Sequence, residues 1–81
     1  MSKLPRVTGQ QTIRALQRLG FQLSHVRGSH HYLFHPQKRL MVAVPVHAGR
    51  VLPPKTLISI LKRAQVTRDE FAKALKELSL I

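Results

Sequence analysis

The sequence predicts an α+β fold of two layers, a three-stranded antiparallel sheet with helices on one face, in the order α-β-β-β-α-α. Two observations support this prediction. Apolar residues recur at helical spacing before residue 20 and again after residue 53, which is typical of amphipathic helices. Residues 21–44 show a period of two instead, divided by turn-forming residues into three short segments. Short connections between consecutive strands favour an antiparallel meander.

The first helix is predicted to begin after Thr8 and to end near Gly20. The Thr8 side chain suits an N-cap, and Gln11 stands three residues later, where the second partner of a capping box belongs. Gly20 suits the left-handed conformation that closes many helices, so the chain is expected to leave the helix there.

Three strands are predicted at residues 21–26, 30–35 and 39–44. Gly28 lies in the tight turn between the first two strands. Pro45 is expected to stop the third strand, because proline cannot donate a hydrogen bond to its neighbour.

Two further helices are predicted after the sheet. Pro54 suits the first helical position of the second helix. Thr67 and Glu70 form another capping-box pattern at the start of the third helix. Two ion pairs at i,i+4 spacing are expected within that helix: Asp69 with Lys73, and Lys73 with Glu77.

Charge is the unusual feature of the composition. The chain of 81 residues holds fourteen Lys and Arg against three acids, for a net charge of +11. All three acids lie after residue 68, so residues 1–68 carry no carboxylate side chain. Such a surface favours a polyanionic partner. Chemistry that needs paired carboxylates, such as two-metal nucleolysis or glycoside hydrolysis, has almost no residues to use.

Length and residue types indicate how many domains the chain forms and in which compartment it is expected. Residues 1–81 are expected to form a single domain, since the chain shows no repeat, linker or low-complexity tract. There is no cysteine, which agrees with a reducing compartment. The sequence shows no signal peptide and no apolar run of membrane-spanning length, so a cytoplasmic location is expected.

Histidine is the main side chain left that titrates near neutral pH. Five histidines occur in the sequence, and four of them lie between residues 30 and 47. Strand alternation sends His30 to one face of the sheet and His31 to the other. A zinc cluster is not expected, because zinc sites show tighter Cys and His pairs and the surroundings are strongly cationic.

Three runs of sequence resemble the HicA family of toxins. They are residues 27–36 (RGSHHYLFHP), 42–47 (VAVPVH) and 56–64 (TLISILKRA). The resemblance covers about residues 5–72 and leaves residues 73–81 as a C-terminal helical extension. Lys55 stands where a glycine is common in the family. The resemblance implies a fold like that of double-stranded-RNA-binding domains, cleavage of mRNA, and neutralisation by a partner antitoxin called HicB.

The resemblance also implies the site residues. The histidine of the Gly-Ser-His motif, His30, is expected to be catalytic. Some family members shift the active histidine by one position, which leaves His31 as the alternative or an assisting residue. Independently of the resemblance, Gly28 and Ser29 are expected to support the active site through the turn that holds the imidazole at the start of the strand. His47, at the exit of the third strand, is expected either to support the active site or to serve only as turn structure.

The residues present suit metal-independent cleavage of RNA. The 2′-hydroxyl of RNA is a built-in nucleophile, and one imidazole can move its proton as a general acid or base. No metal and no cofactor is therefore expected. A positive surface should attract RNA, and also an acidic antitoxin.

Eight cations are predicted to contact the phosphates of RNA. They are Arg14, Arg18, Arg27, Lys38, Arg39, Arg50, Lys55 and Lys62. Tyr32 and Phe34 share the face of His30 and are expected either to stack on an unpaired base or to pack in the core. Two other functions stay open, a non-catalytic RNA-binding module and an interaction subunit whose cationic face docks an acidic protein.

Overall fold

The computed structural model describes residues 4–79 of the chain. Its elements are α1 (Gly9–Arg18), β1 (Gln22–Arg27), β2 (His30–His35), β3 (Leu40–Pro45), α2 (Pro54–Ala64) and α3 (Arg68–Ser79). The strands form one antiparallel sheet in the order β1-β2-β3. The predicted α+β class and element order are thus confirmed. No helix in residues 4–79 is long and apolar enough to cross a membrane.

The ends of α1 follow the predicted signals. The Thr8 hydroxyl accepts a hydrogen bond from the Gln11 N–H at 3.2 Å, and the Gln11 side chain accepts one from the Thr8 N–H at 2.9 Å. Gly20 has a φ of 102°, and the Phe21 N–H donates to the Leu16 carbonyl at 3.0 Å. This left-handed closure turns the chain from α1 directly into the sheet.

Two of the three strands, β1 and β3, lie one residue further along the chain than predicted, at Gln22–Arg27 and Leu40–Pro45 instead of 21–26 and 39–44. β1 begins one residue later than expected, because buried Phe21 belongs to the closure of α1. β3 includes Pro45, which was expected to stop it and which pairs with His30. Proline is tolerated there because β3 is an outer strand and this is its last residue. β1 also contains a bulge, in which Ser24 is the extra residue between Leu23 and His25.

The helices cover only one face of the sheet. On that face Leu33, His35, Val42 and Val44 are buried, and they pack with apolar residues of α1 and α2 into one core. The other face, called here the open face, carries exposed or half-buried side chains. It consists of Gln22, His25 and Arg27 of β1, His30, Tyr32 and Phe34 of β2, and Met41, Ala43 and Pro45 of β3.

α3 closes the core against α1 through buried Phe71 and Ala74. Its N-terminus has the predicted capping box, in which the Thr67 N–H donates to the Glu70 carboxylate at 2.9 Å. The Glu70 N–H donates in turn to the Thr67 hydroxyl at 3.0 Å. The hydrogen bond from the Thr67 N–H is the main cause that holds the pKa of the Glu70 carboxyl below its ordinary value, and the Thr67 side chain adds to the effect.

The ion pairs predicted within α3 are not found. In residues 4–79 the one salt bridge joins Arg18 of α1 to Glu77 of α3 at 3.3 Å. The packing of α3 on α1 brings these two side chains within reach across 59 positions of sequence. Exposed pairs at i,i+4 spacing gain little free energy and yield to such an alternative partner.

Candidate active-site groove

An open groove of about 900 Å³ runs between the open face of the sheet and α2. α2 packs against the outer strand β3, and residues of the sheet and of this helix line the groove from its two sides. The sheet side is lined by His30, Tyr32, Met41, Val42, Ala43 and Pro45. The helix side is lined by Lys55, Thr56, Ser59, Ile60 and Arg63. We call this feature the His30 groove.

The position of His30 follows from the hairpin that precedes it. Gly28 takes a φ of 58°, which lets two residues connect β1 to β2 and makes Arg27 and His30 cross-strand partners. The Ser29 carbonyl accepts a hydrogen bond from the Val46 N–H at 2.7 Å, which ties the hairpin to the chain leaving β3. His30 therefore begins the central strand with both neighbouring strands in register.

The His30 ring is accessible. Its side chain is exposed on the open face, at the sheet side of the groove. The side-chain hydrogen bonds of residues 4–79 involve the rings of His25 and His35 and not that of His30. An exposed imidazole without competing partners can exchange a proton with a bound molecule.

The opposite wall is cationic. Lys55, Ser59 and Arg63 lie four residues apart and therefore on one side of α2. The spacing of α-helical residues puts about 12 Å between the first and last backbone positions. None of the described residues that line the groove is acidic. An anionic chain lying along this wall would meet two cations and two hydroxyl groups, those of Thr56 and Ser59.

His31 lies on the face opposite to His30. It is half-buried on the helix-covered side of the sheet and pairs with Val44 of β3. Its Nδ1 atom is buried and has no hydrogen-bond partner among the described residues. Of the two adjacent histidines, only His30 lines the groove.

The predicted supporting residues lie at the same end of the sheet. Gly28 and Ser29 form the hairpin turn, as described above. His47 is exposed in the turn that follows β3, where its carbonyl accepts a hydrogen bond from the Arg50 N–H at 2.9 Å. His47 does not line the groove.

The eight predicted RNA-contacting cations are spread over the whole molecule. Lys55 lines the His30 groove, and Arg27 lies beside His30 on the open face. Arg14 lines a second, smaller groove of about 280 Å³ between α1 and α3. Arg50 and Lys62 are exposed and line neither groove.

Three more of the eight cations lie away from the His30 groove, and two of them bind other parts of the protein. Arg18 forms the salt bridge to Glu77. The Lys38 ammonium donates to the carbonyl groups of Ala64 and Gln65, at 3.3 and 2.9 Å, and so caps the C-terminus of α2. Arg39, with a φ of 57°, lies with Lys38 in the turn after His35, at the far end of β2 from His30.

Arg63 is the groove residue that the sequence reasoning missed. The sequence analysis named Lys55 and Lys62 among the cations expected to contact RNA and omitted Arg63, although Lys55, Ser59 and Arg63 also share one helix face by spacing. In the structure Arg63 lines the groove and Lys62 does not. The available signal was the i,i+4,i+8 spacing, which continues the line of Lys55 and Ser59 in equal steps.

Metal ligands are not gathered at the groove. Within residues 4–79 no group of three or more histidine, cysteine or acidic side chains is arranged to hold a metal ion. Arg27 is the cross-strand partner of His30, and Lys55 and Arg63 line the same groove. The groove can therefore bind an anion and offer it one exposed imidazole.

Comparison with known proteins identifies the family. A model of the family described as the HicA toxin of bacterial toxin-antitoxin matches residues 9–66, which is more than two thirds of the chain. The match includes α1, the whole sheet and α2, and therefore every residue that lines the His30 groove. A search of curated proteins finds no match. With that family match over its sheet and groove, the chain belongs to the HicA family of toxins of toxin–antitoxin systems.

Proposed function

We propose that this HicA-family toxin is an endoribonuclease that cleaves mRNA without a metal, with His30 as general acid and base. One observation supports this proposal above all. An exposed imidazole stands in a groove whose opposite wall presents Lys55 and Arg63, while none of the described lining residues is acidic. The residue types in the groove suit a phosphodiester rather than a neutral substrate.

The chemistry needs only groups that RNA and the groove supply. The His30 imidazole takes the proton of the 2′-hydroxyl, and the oxygen attacks the adjacent phosphorus. The bond from phosphorus to the 5′-oxygen breaks, and the imidazolium returns its proton to that leaving oxygen. The products are a 2′,3′-cyclic phosphate and a 5′-hydroxyl. Lys55 and Arg63 stabilise the charge that develops on the phosphate oxygens.

The supporting residues have separate tasks in this proposal. Gly28 and Ser29 hold His30 in place through the tight turn and the hydrogen bond to Val46. His31, on the opposite face, takes no part in the proton transfer. His47 stays a predicted supporting residue at the same end of the sheet.

The family implies a HicB-type antitoxin as partner. We propose that this antitoxin presents acidic residues to the cationic surface and acts in the cytoplasm, where the mRNA is. Association between such opposite charges is fast and slows as salt is added. Co-expression with the partner should yield a stable complex, and a complex whose rate of formation is insensitive to salt would contradict the charge argument.

The test is cleavage of single-stranded RNA in excess chelator by the wild-type protein and two variants. His30→Ala should reduce the rate by about 10²–10⁴-fold, the range typical of a general acid or base. His31→Ala is the matched control and should cleave at the wild-type rate. A strand with 2′-deoxyribose at every position should bind and stay intact, because it lacks the nucleophile.

Each other outcome identifies a different function. RNA that is bound but never cut would indicate a non-catalytic RNA-binding module. No affinity for RNA at low salt would indicate an interaction subunit that uses its charge only to dock a protein. Cleavage that depends on His31 and not on His30 would move the catalytic role to the other face of the sheet.

A further inference from the structure

The open face carries an aromatic pair beside the proposed catalytic residue. The rings of His25 and Tyr32 stack with centroids 4.5 Å apart and planes 8° from parallel. They are cross-strand partners, and Tyr32 lines the same groove as His30. Tyr32 follows His30 by two positions on β2, about 7 Å along the strand on the same face.

The bulge in β1 creates this pair. In a regular ladder that continued the pairing of Leu23 with Leu33, Ser24 would lie opposite Tyr32, and His25 would point to the helix-covered face. The extra residue shifts the register so that His25 lies opposite Tyr32 on the open face. The Ser24 hydroxyl and the His25 Nδ1 atom lie 3.0 Å apart in a hydrogen bond that fixes the ring. Bulges that redirect a side chain are common beside active sites.

The surroundings of the pair are those of a ligand surface and not of a core. His25 on the outer strand β1 is exposed, and Tyr32 on the central strand β2 is half-buried, so both rings are accessible on the open face. Met41 on the neighbouring strand is 45% exposed on the same face. Two cations lie on the surfaces around the pair: Arg27 on the open face of β1, and Lys55 of α2, which lines the groove with Tyr32.

We infer that the His25–Tyr32 pair is a stacking platform for an unpaired base of single-stranded RNA, a reading that rests on the proposed function. Because the two rings lie face to face, a base stacks on the face of Tyr32 that His25 leaves uncovered, and so extends the stack within the groove. In a duplex both faces of each base are already stacked. The phosphates of the same strand lie along the cationic wall of α2. The base on Tyr32 then adjoins the phosphate at His30, so the platform selects single strands and sets which phosphate is cut.

The experiment measures binding without cleavage. A single-stranded oligonucleotide with 2′-O-methyl groups throughout cannot be cut through its 2′-oxygen, so the wild-type protein can be used. Loss of one stacked base is expected to weaken binding roughly tenfold. Tyr32→Leu should therefore bind about tenfold more weakly than wild type, whereas Tyr32→Phe, which keeps the ring, should change affinity less than about twofold.

A second arm leaves the protein unchanged. A single abasic nucleotide is moved through the oligonucleotide, which removes one base and keeps every phosphate. One position should reproduce roughly the tenfold loss in wild type and have no further effect in Tyr32→Leu. A duplex of the same sequence should bind at least about tenfold more weakly than the single strand.

The outcomes separate this inference from the proposed function. Any of three results would overturn the platform even if RNA is cleaved. Tyr32→Leu could bind the oligonucleotide as tightly as wild type, no abasic position could weaken binding, or the duplex could bind as tightly as the single strand. Binding that depends on Tyr32 in a protein that never cleaves RNA would leave the platform standing and contradict the catalytic proposal.

Discussion

The two faces of the sheet use histidine in opposite ways. On the helix-covered face, His35 is buried, packs edge-on against Phe21 at 4.9 Å, and has both ring nitrogens in hydrogen bonds. Its Nδ1 accepts from the Lys38 N–H, so Nε2 carries the proton and donates to the Leu19 carbonyl at 3.2 Å. On the open face, His30 is exposed and lines the groove.

The comparison shows that neighbours and not residue type decide the role. His30 and His35 belong to one six-residue strand and differ in which face they occupy. A histidine with both nitrogens engaged inside the core joins elements, in this case the end of α1 and the turn after β2. A histidine that faces a cationic groove is free to act on a ligand.

The largest expected effect on stability contrasts one residue from each face. Leu33→Ala removes a fully buried side chain and should lower the free energy of unfolding by about 2–5 kcal/mol. Met41→Ala truncates a side chain that is 45% exposed on the open face and should cost less than about 1 kcal/mol. Urea denaturation measures both. A loss as large for Met41 as for Leu33 would mean that the open face is covered in solution.

A second prediction concerns the close contact between Gly20 and His35. A Cβ atom at Gly20 would lie 2.7 Å from the His35 Nε2 atom, and the φ of 102° already disfavours side chains. Gly20→Ala should cost about 1–2 kcal/mol from the backbone alone, and more while the ring is present. His35→Ala should cost about 2 kcal/mol through its lost hydrogen bonds.

The double variant separates these two effects. If the ring is the obstacle, Gly20→Ala will destabilise the His35→Ala background less than it destabilises the wild type. Strictly additive losses of unfolding free energy would show that the ring moves aside without cost, and His35 would then not be the rigid joint described above.

The third prediction compares neighbouring cations of α2. Arg63→Gln should weaken binding of single-stranded RNA about tenfold, as expected when a charged hydrogen bond is lost. It should also reduce the slope of log affinity against log salt by about 0.7. Lys62→Gln removes the same charge one residue away, outside the groove, and should have less than about a twofold effect. Equal effects would mean that only total charge matters.

The smallest expected effect lies in the helical layer, far from the groove. Thr67→Ala should cost about 1 kcal/mol by removing the cap of α3. The lowered pKa of Glu70 means that its carboxylate stabilises the folded state above the ordinary value of 4.5. That contribution is lost as pH falls below 4.5 through the lowered folded-state pKa.

Two comparisons check the origin of this acid dependence. Glu70→Gln should remove that part of the pH dependence of unfolding. Thr8→Ala, which breaks the capping box closed by the neutral Gln11, should cost a similar amount at all pH values. Cleavage of RNA should be unchanged in these variants, and a change would link the helical layer to the open face.

Local signals predicted most of the fold. The starts of α1 and α3 could be predicted because capping-box hydrogen bonds join residues only three positions apart. These pairs are Thr8 with Gln11 and Thr67 with Glu70. The position of His30 at the start of a strand is also a local signal, whereas its predicted catalytic role came from the resemblance to the HicA family. Helix caps and strand positions depend on residues close together in the chain, so a single sequence is enough to predict them.

Features that depend on packing were not predictable from the pattern. The choice of Arg63 over Lys62 depends on how α2 packs against β3, and the pairing of Arg18 with Glu77 depends on how α3 lies against α1. The bulge at Ser24 has no glycine or proline to mark it, yet it decides which face His25 occupies. Each of these required the three-dimensional arrangement.

The most direct test of the division between the two faces measures cleavage and thermal unfolding on the same two variants. His30→Ala should lose at least about 10²-fold in cleavage rate and keep the wild-type melting temperature. His35→Ala, with its expected loss of about 2 kcal/mol, should melt roughly 8–16 °C lower and cleave at the wild-type rate while folded. A His30→Ala protein that cleaves RNA like the wild type, or that melts as low as His35→Ala, would contradict the assignment of catalysis to the open face.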